Sequence, residues 1–176
     1  QDDVFVGGTA TGEYLQNTDR EASAFDARVE LDAVVGSFTF GTVFRAYQLS
    51  DPTYNPADID VPVTEIKHRY AEYDGSGVAL RAGHFFSTFG HGLSLRSYEE
   101  VDLEHDTALD GLLAETSVGI VRVTALAGAA RERLSATGYR DHAVRAARAS
   151  APVASWLDVA LSAVELGRLE KCNRAS

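Results

Sequence analysis

The sequence predicts an all-β protein: an antiparallel up-and-down meander of about nine strands, built as a transmembrane β-barrel or as the N-terminal part of a larger one. Three observations lead there. Apolar and polar residues alternate with period two along most of the chain, as strands do when successive side chains point to opposite faces. Short turns rich in Gly, Pro, Asp and Ser alternate with longer polar connections. No stretch approaches 18 uninterrupted apolar residues, which excludes a membrane-spanning helix but leaves open spanning strands of about 9–11 residues.

The elements follow in order. The start, Gln1-Asp2-Asp3-Val4, reads as a mature end left by signal-peptide removal, with a strand beginning at once. The clearest alternation is Phe25–Ala33, where Phe25, Ala27, Val29, Leu31 and Ala33 face one way and Asp26, Arg28, Glu30 and Asp32 the other. In the next segment Phe38, Phe40, Phe44 and Ala46 oppose Thr39, Gly41, Arg45 and Tyr47. Over Thr64–Tyr73 the face Glu65, Lys67, Arg69 opposes Ile66, His68, Tyr70. Over Val78–Phe86, Val78, Leu80 and Ala82 oppose Arg81 and Gly83. Val121, Val123, Ala125 and Ala127 oppose Arg122 and Thr124; Leu157, Val159, Leu161 and Ala163 oppose Asp158 and Ser162. Arg140–Ala151 has the alanine content of a helix, and its place in the meander makes it a strand.

Short turns are expected at Val34–Ser37, Asp74–Gly77, Ser117–Gly119 and Pro152–Ser155, and long connections at Gln16–Ala22, Gln48–Pro62, Ser87–Leu109 and Gly128–His142. Short turns at one end and long loops at the other is the asymmetry of outer-membrane barrels.

Composition narrows the partners. The 176 residues carry 26 acidic and 16 basic side chains, a net charge of −10, which argues against nucleic-acid binding because phosphates demand a basic face. A single cysteine, Cys172, allows no internal disulfide and no multi-thiolate zinc site. The sequence contains no methionine, so the chain is expected to be a processed product or a fragment.

The block Leu80–Glu100, with Phe89-Gly90-His91-Gly92-Leu93, Arg96-Ser97-Tyr98-Glu99 and, further on, Ala108-Leu109-Asp110-Gly111, resembles a family of large porin-like outer-membrane β-barrel proteins of Gram-negative bacteria. Asp51-Pro52-Thr53-Tyr54-Asn55-Pro56 is similar to the preceding loop of that family, and the likeness is best over about residues 40–130. The resemblance implies a bacterial outer-membrane location and carries no catalytic residue. Such barrels are several times longer and commonly end on an aromatic residue. Residues 1–176 are therefore expected to form one barrel-type domain, incomplete at the C-terminus, with strand edges open to the remainder of the barrel or to partner chains.

The acids of Glu99, Glu100, Asp102, Glu104 and Asp106 lack the spacing and the central glycine of an EF-hand, so the segment reads as a solvated loop, with no metal and no cofactor expected. Ser94 and His91 lie outside any Gly-x-Ser-x-Gly elbow, and no enzyme is expected. The functional candidates are the charged strand faces: Asp26, Arg28, Glu30, Asp32, Glu65, Lys67, Arg69 and Arg81 as lumen-facing groups. A second set, Gly90, Gly92, Arg96, Glu99, Glu100 and Asp102, would build a constriction loop folded onto those faces, with Arg96 paired to a carboxylate and Phe85, Phe86 and Phe89 anchoring it. The expected function is solute passage or a structural surface role, with outer-membrane lipid and small solutes or ions as partners. The alternatives are a secreted soluble β-rich binding domain, of sandwich or lipocalin type, and an outer-membrane hydrolase.

Overall fold

The computed structural model describes residues 4–19, 22–50, 63–100, 105–135 and 138–168. In chain order the strands are β1 (Val4–Asn17), β2 (Ala22–Val35), β3 (Phe38–Ser50), β4 (Val63–Gly75), β5 (Val78–Phe85), β6 (Thr88–Phe89), β7 (Leu95–Arg96), β8 (Glu99–Glu100), β9 (His105–Asp106), β10 (Leu109–Val118), β11 (Val121–Ser135), β12 (Gly138–Ala154) and β13 (Leu157–Arg168). Nine of them form one antiparallel meander in the order β1-β2-β3-β4-β5-β10-β11-β12-β13. Among the described residues no pairing joins β1 to β13, and the sheet is not closed into a barrel. Among the described residues no helix is long and apolar enough to cross a membrane. The contacts divide the chain into two compact units, Gln1–Ala71 and Glu72–Ser176.

In the first unit, β1 and β2 pair from Val4↔Val35 to Asn17↔Ala22, and β2 and β3 from Val35↔Phe38 to Ser23↔Ser50. Paired residues share a face. One face therefore collects Val29, Leu31, Ala33, Phe40 and Phe44, and the other Asp26, Arg28, Glu30, Asp32 and Arg45. The turn at Gly36-Ser37 is tight, as expected.

In the second unit, β5, β10, β11, β12 and β13 pair as successive hairpins. The turns at Ser76-Gly77, Gly119-Ile120 and Ser155-Trp156 lie at one end of these strands. Arg140–Ala151 is strand, within β12.

Two expected long connections are short. Between Asn17 and Ala22 only residues 18–21 intervene, and the Asp19 N–H donates to Asn17 Oδ1 at 3.1 Å, the side chain standing in for a turn. Where Gly128–His142 reads as a loop, β11 continues to Ser135 and β12 starts at Gly138. The ladder simply continues, from Ala130↔His142 to Ser135↔Gly138 with a register shift between Arg133 and Ser135. Gln48–Pro62 runs from the end of β3 into residues 51–62, which lie outside the described residues.

The core belongs to the second unit. Phe85, Phe89, Leu109, Leu126, Val144 and Ala146 are buried together, with Leu95, Leu113, Ala130 and Val164 against them. In register across one face stand Gly83, Gly111 and Gly128. A Cβ on Gly111 would run into the Ala127 carbonyl and Gly128 Cα, so glycine is what lets β10 and β11 approach.

Candidate functional site

Alternation of β2 and β3 builds a charged face in the first unit. Arg45 reaches across to Asp26 in a forked contact, Nε to Oδ1 at 3.1 Å and Nη2 to Oδ2 at 2.6 Å. Arg45 also lies over the Tyr47 ring, 5.0 Å from its centroid. Arg28 Nε donates to Glu30 Oε1 at 2.7 Å. Arg28 and Arg45 are register partners, and each repelling guanidinium is thus supplied with its own carboxylate. Tyr70 Oη donates to Asp32 Oδ1 at 3.0 Å, which sets the face of β4.

Tyr70 thus stands on the side of Asp32. β4 is polar on both faces, which leaves its register unspecified by hydrophobicity. Asp26, Arg28, Glu30 and Asp32 share one face as expected. Sequence reasoning omitted Arg45 and Tyr70 from the cluster, although Arg45 already stood opposite the Phe38–Phe44 face.

Burial in this unit is inverted relative to a water-soluble sheet. Phe25 and Leu31 on the apolar face are each 44% exposed. The charged side chains of Arg45 and Arg28 are only 13% and 22% exposed. Hydrophobicity would bury the first pair and hydrate the second if both faces met water.

The second unit carries the segment between β5 and β10, which folds onto one face of its sheet. β6 pairs with β7, and β8 with β9. Between them the Gly90–Gly92 turn has φ of +60° at Gly90 and +85° at Gly92, conformations that suit glycine and carry the expected sharp bend. Phe89 is 2% exposed in the core, and Leu95 packs beside it. The Ser97 N–H donates to the Ser87 carbonyl at 3.0 Å, Ser97 Oγ to the Thr107 carbonyl at 2.6 Å, and the Tyr98 N–H to Thr107 Oγ1 at 2.9 Å. Ser94 is carried to Ser162 of β13, with 3.4 Å between the hydroxyls. The segment is a braced insert.

Its seat differs from the expected one. The insert rests on apolar residues, with Phe85 and Phe89 as anchors and Phe86 exposed. Arg96 is exposed, stacks on the Tyr98 ring at 4.5 Å and has no carboxylate partner among the described residues. The planar guanidinium takes the neighbouring ring because two residues along an extended segment share a side. Glu99 is half-buried, and Asp102 lies outside the described residues. Arg81 of the same sheet pairs with Glu72 at 3.4 Å and donates from Nε to the His84 carbonyl at 3.0 Å.

Away from the insert the second unit presents a bare apolar band. Starting from the turns, the exposed face of β13 reads Leu157, Val159, Leu161, Ala163 and then Glu165; that of β12 reads Ala151, Ala149, Ala147 and then Arg145. Glu165 and Arg145 lie 3.9 Å apart at the band's limit. On β10 the order is Val118, Thr116, Ala114, Leu112 and then Asp110. Leu112 is 64% and Leu161 79% exposed.

No curated protein and no solved structure shows significant similarity to this sequence. One protein family does match, over residues 10–169, which is most of the chain. The chain belongs to that family of unknown function, DUF6029.

Proposed function

We propose that this chain is a porin-like outer-membrane β-barrel protein, or the part of one that these residues make. The observation that carries the reading is the inverted burial: exposed apolar faces on strands whose opposite faces hold paired charges or the insert. Lipid is the solvent that makes such a face favourable. The band has a suitable height. From Val35 to Phe25 on β2 is ten residues, about 33 Å along the strand at ~3.3 Å each, or about 25 Å at a ~40° tilt. Ion-paired faces suit a wet lumen that passes ions or small polar solutes. The open edges at β1 and β13 would then be closed by further strands of the same protein or of partner chains.

The apolar core under the insert also suits the alternative, a soluble β-rich binding domain. That alternative leaves Leu112 and Leu161 facing water for no gain.

Trp156, the single tryptophan, tests the choice: it sits in a turn at the end of the apolar band and is 82% exposed. After folding into phosphatidylcholine vesicles, brominated acyl chains should quench its fluorescence, and the folded protein should show heat-modifiable gel mobility and conductance in planar bilayers. A protein that stays in the aqueous fraction, with Trp156 quenched by acrylamide and untouched by brominated lipid, would overturn the reading.

A further inference from the structure

Arg28, Arg45, Arg81 and Arg145 each have a carboxylate within reach. Two neighbours on the second unit's sheet do not. The register pairs Arg122 with Ser150 and Thr124 with Arg148, which makes Arg122 and Arg148 diagonal neighbours on one face. Among the described residues neither makes an ion pair or a side-chain hydrogen bond, and the Nε of Arg148 is buried with no acceptor. A buried N–H of a permanently charged group without an acceptor is rare in folded proteins and calls for a missing partner.

The surroundings indicate what that partner is. Ser162 pairs in register with Arg148 on β13, and its hydroxyl is the one that meets Ser94 of the insert. Thr124, in register with Arg148, is buried and donates to Glu115 Oε1 at 3.1 Å. On this core side of the sheet, opposite the apolar band, stand two guanidinium groups with the hydroxyls of Ser150 and Ser162 beside them. A guanidinium offers two parallel N–H donors that match two oxygens of a planar or tetrahedral oxyanion.

We propose that Arg122 and Arg148 form a binding subsite for a small dissolved oxyanion, a phosphate or a carboxylate. Arg148 grips two oxygens, Arg122 neutralises the remaining charge, and Ser150 donates from the flank. This deepens the pore reading by naming the class of solute, and it rests on that reading for the route the anion takes. Binding is measured without a membrane, so the two ideas fail separately.

The test is isothermal titration of the detergent-solubilised full chain with inorganic phosphate and, separately, with acetate. At least one should bind saturably at one site per chain. Arg148→Ala and Arg122→Ala should each weaken it about tenfold or more, as loss of a charge-assisted forked contact does. Arg148→Lys should keep part of the affinity, having the charge without the fork, and Arg145→Ala should change nothing. Far-UV circular dichroism checks that each variant keeps its sheet; if Arg148→Ala does not fold, Arg122→Ala and Arg148→Lys decide. The proposal is overturned by no saturable binding of either anion, by equal affinity in Arg122→Ala and the unaltered protein, or by heat released only with micelles containing phosphatidylglycerol.

Discussion

Leu31→Arg separates lipid from water as the medium facing the apolar side of the first unit. Leu31 stands four residues from Val35 at the turn end of β2, about 13 Å along the strand at ~3.3 Å per residue. At a ~40° tilt that is a depth of about 10 Å in a band about 25 Å tall, close to its middle. It pairs with Gly8 and Thr42, so neither neighbour offers a carboxylate to a new cation. An arginine at the lipid midplane costs about 2–4 kcal/mol. The same change on a half-exposed position in water falls within about 0.5 kcal/mol. The assay is reversible urea unfolding in phosphatidylcholine vesicles, followed by Trp156 fluorescence. Thr9→Arg is the control, since Thr9 pairs with Glu30 on the charged face, and it should cost little. A Leu31→Arg variant as stable as Thr9→Arg would refute the lipid-facing assignment.

Three further outcomes are expected. In a double-mutant cycle of Asp26→Asn and Arg45→Ala, the forked, half-buried pair should couple by about 1–2 kcal/mol, above the usual exposed ion pair, and the coupling should persist in high salt. Phe89→Ala removes an anchor that is 2% exposed; the insert should become a site of limited proteolysis, with a stability loss of about 3 kcal/mol in denaturant melts. Gly111→Ala should destabilise by about 1–3 kcal/mol because its new Cβ meets backbone, whereas Gly12→Ala, with open space around it, should be neutral or slightly stabilising in the same melts.

The meander was legible because period-two alternation needs only one apolar face per strand, and β2, β3 and β13 have it. Loop lengths were less legible. Polarity alone does not mark a loop, because a polar stretch can continue a ladder, as β11 and β12 do beyond Ala130↔His142. The faces of β4 were legible least, since Glu65, Lys67 and Arg69 alternate with residues that are themselves polar or aromatic. Arg45 was visible as polar but joined no cluster until the register set it beside Arg28 and Asp26. The unpartnered pair Arg122 and Arg148 needed that register too, as the two are 26 positions apart in the chain.

The seat of the insert has a sequence signature of its own. A strand with one face in lipid and the other in a wet lumen should alternate strictly. β10 breaks that rule: Leu109 and Leu113 lie on the core side, and Leu112 on the exposed side. β11 and β12 break it too, with Leu126, Val144 and Ala146 buried opposite faces of small apolar residues. Apolar residues on both faces mean that both faces are covered by something apolar. On one side that role falls to the proposed lipid. On the other it is the insert, through Phe89 and Leu95. The glycine row Gly83, Gly111 and Gly128 lies on the core side of these same strands, where side chains would otherwise compete with the insert for room. Loss of alternation in the strands after a long connection is therefore the mark of a connection that folds back, and in this chain it appears in the first strand that follows one, β10.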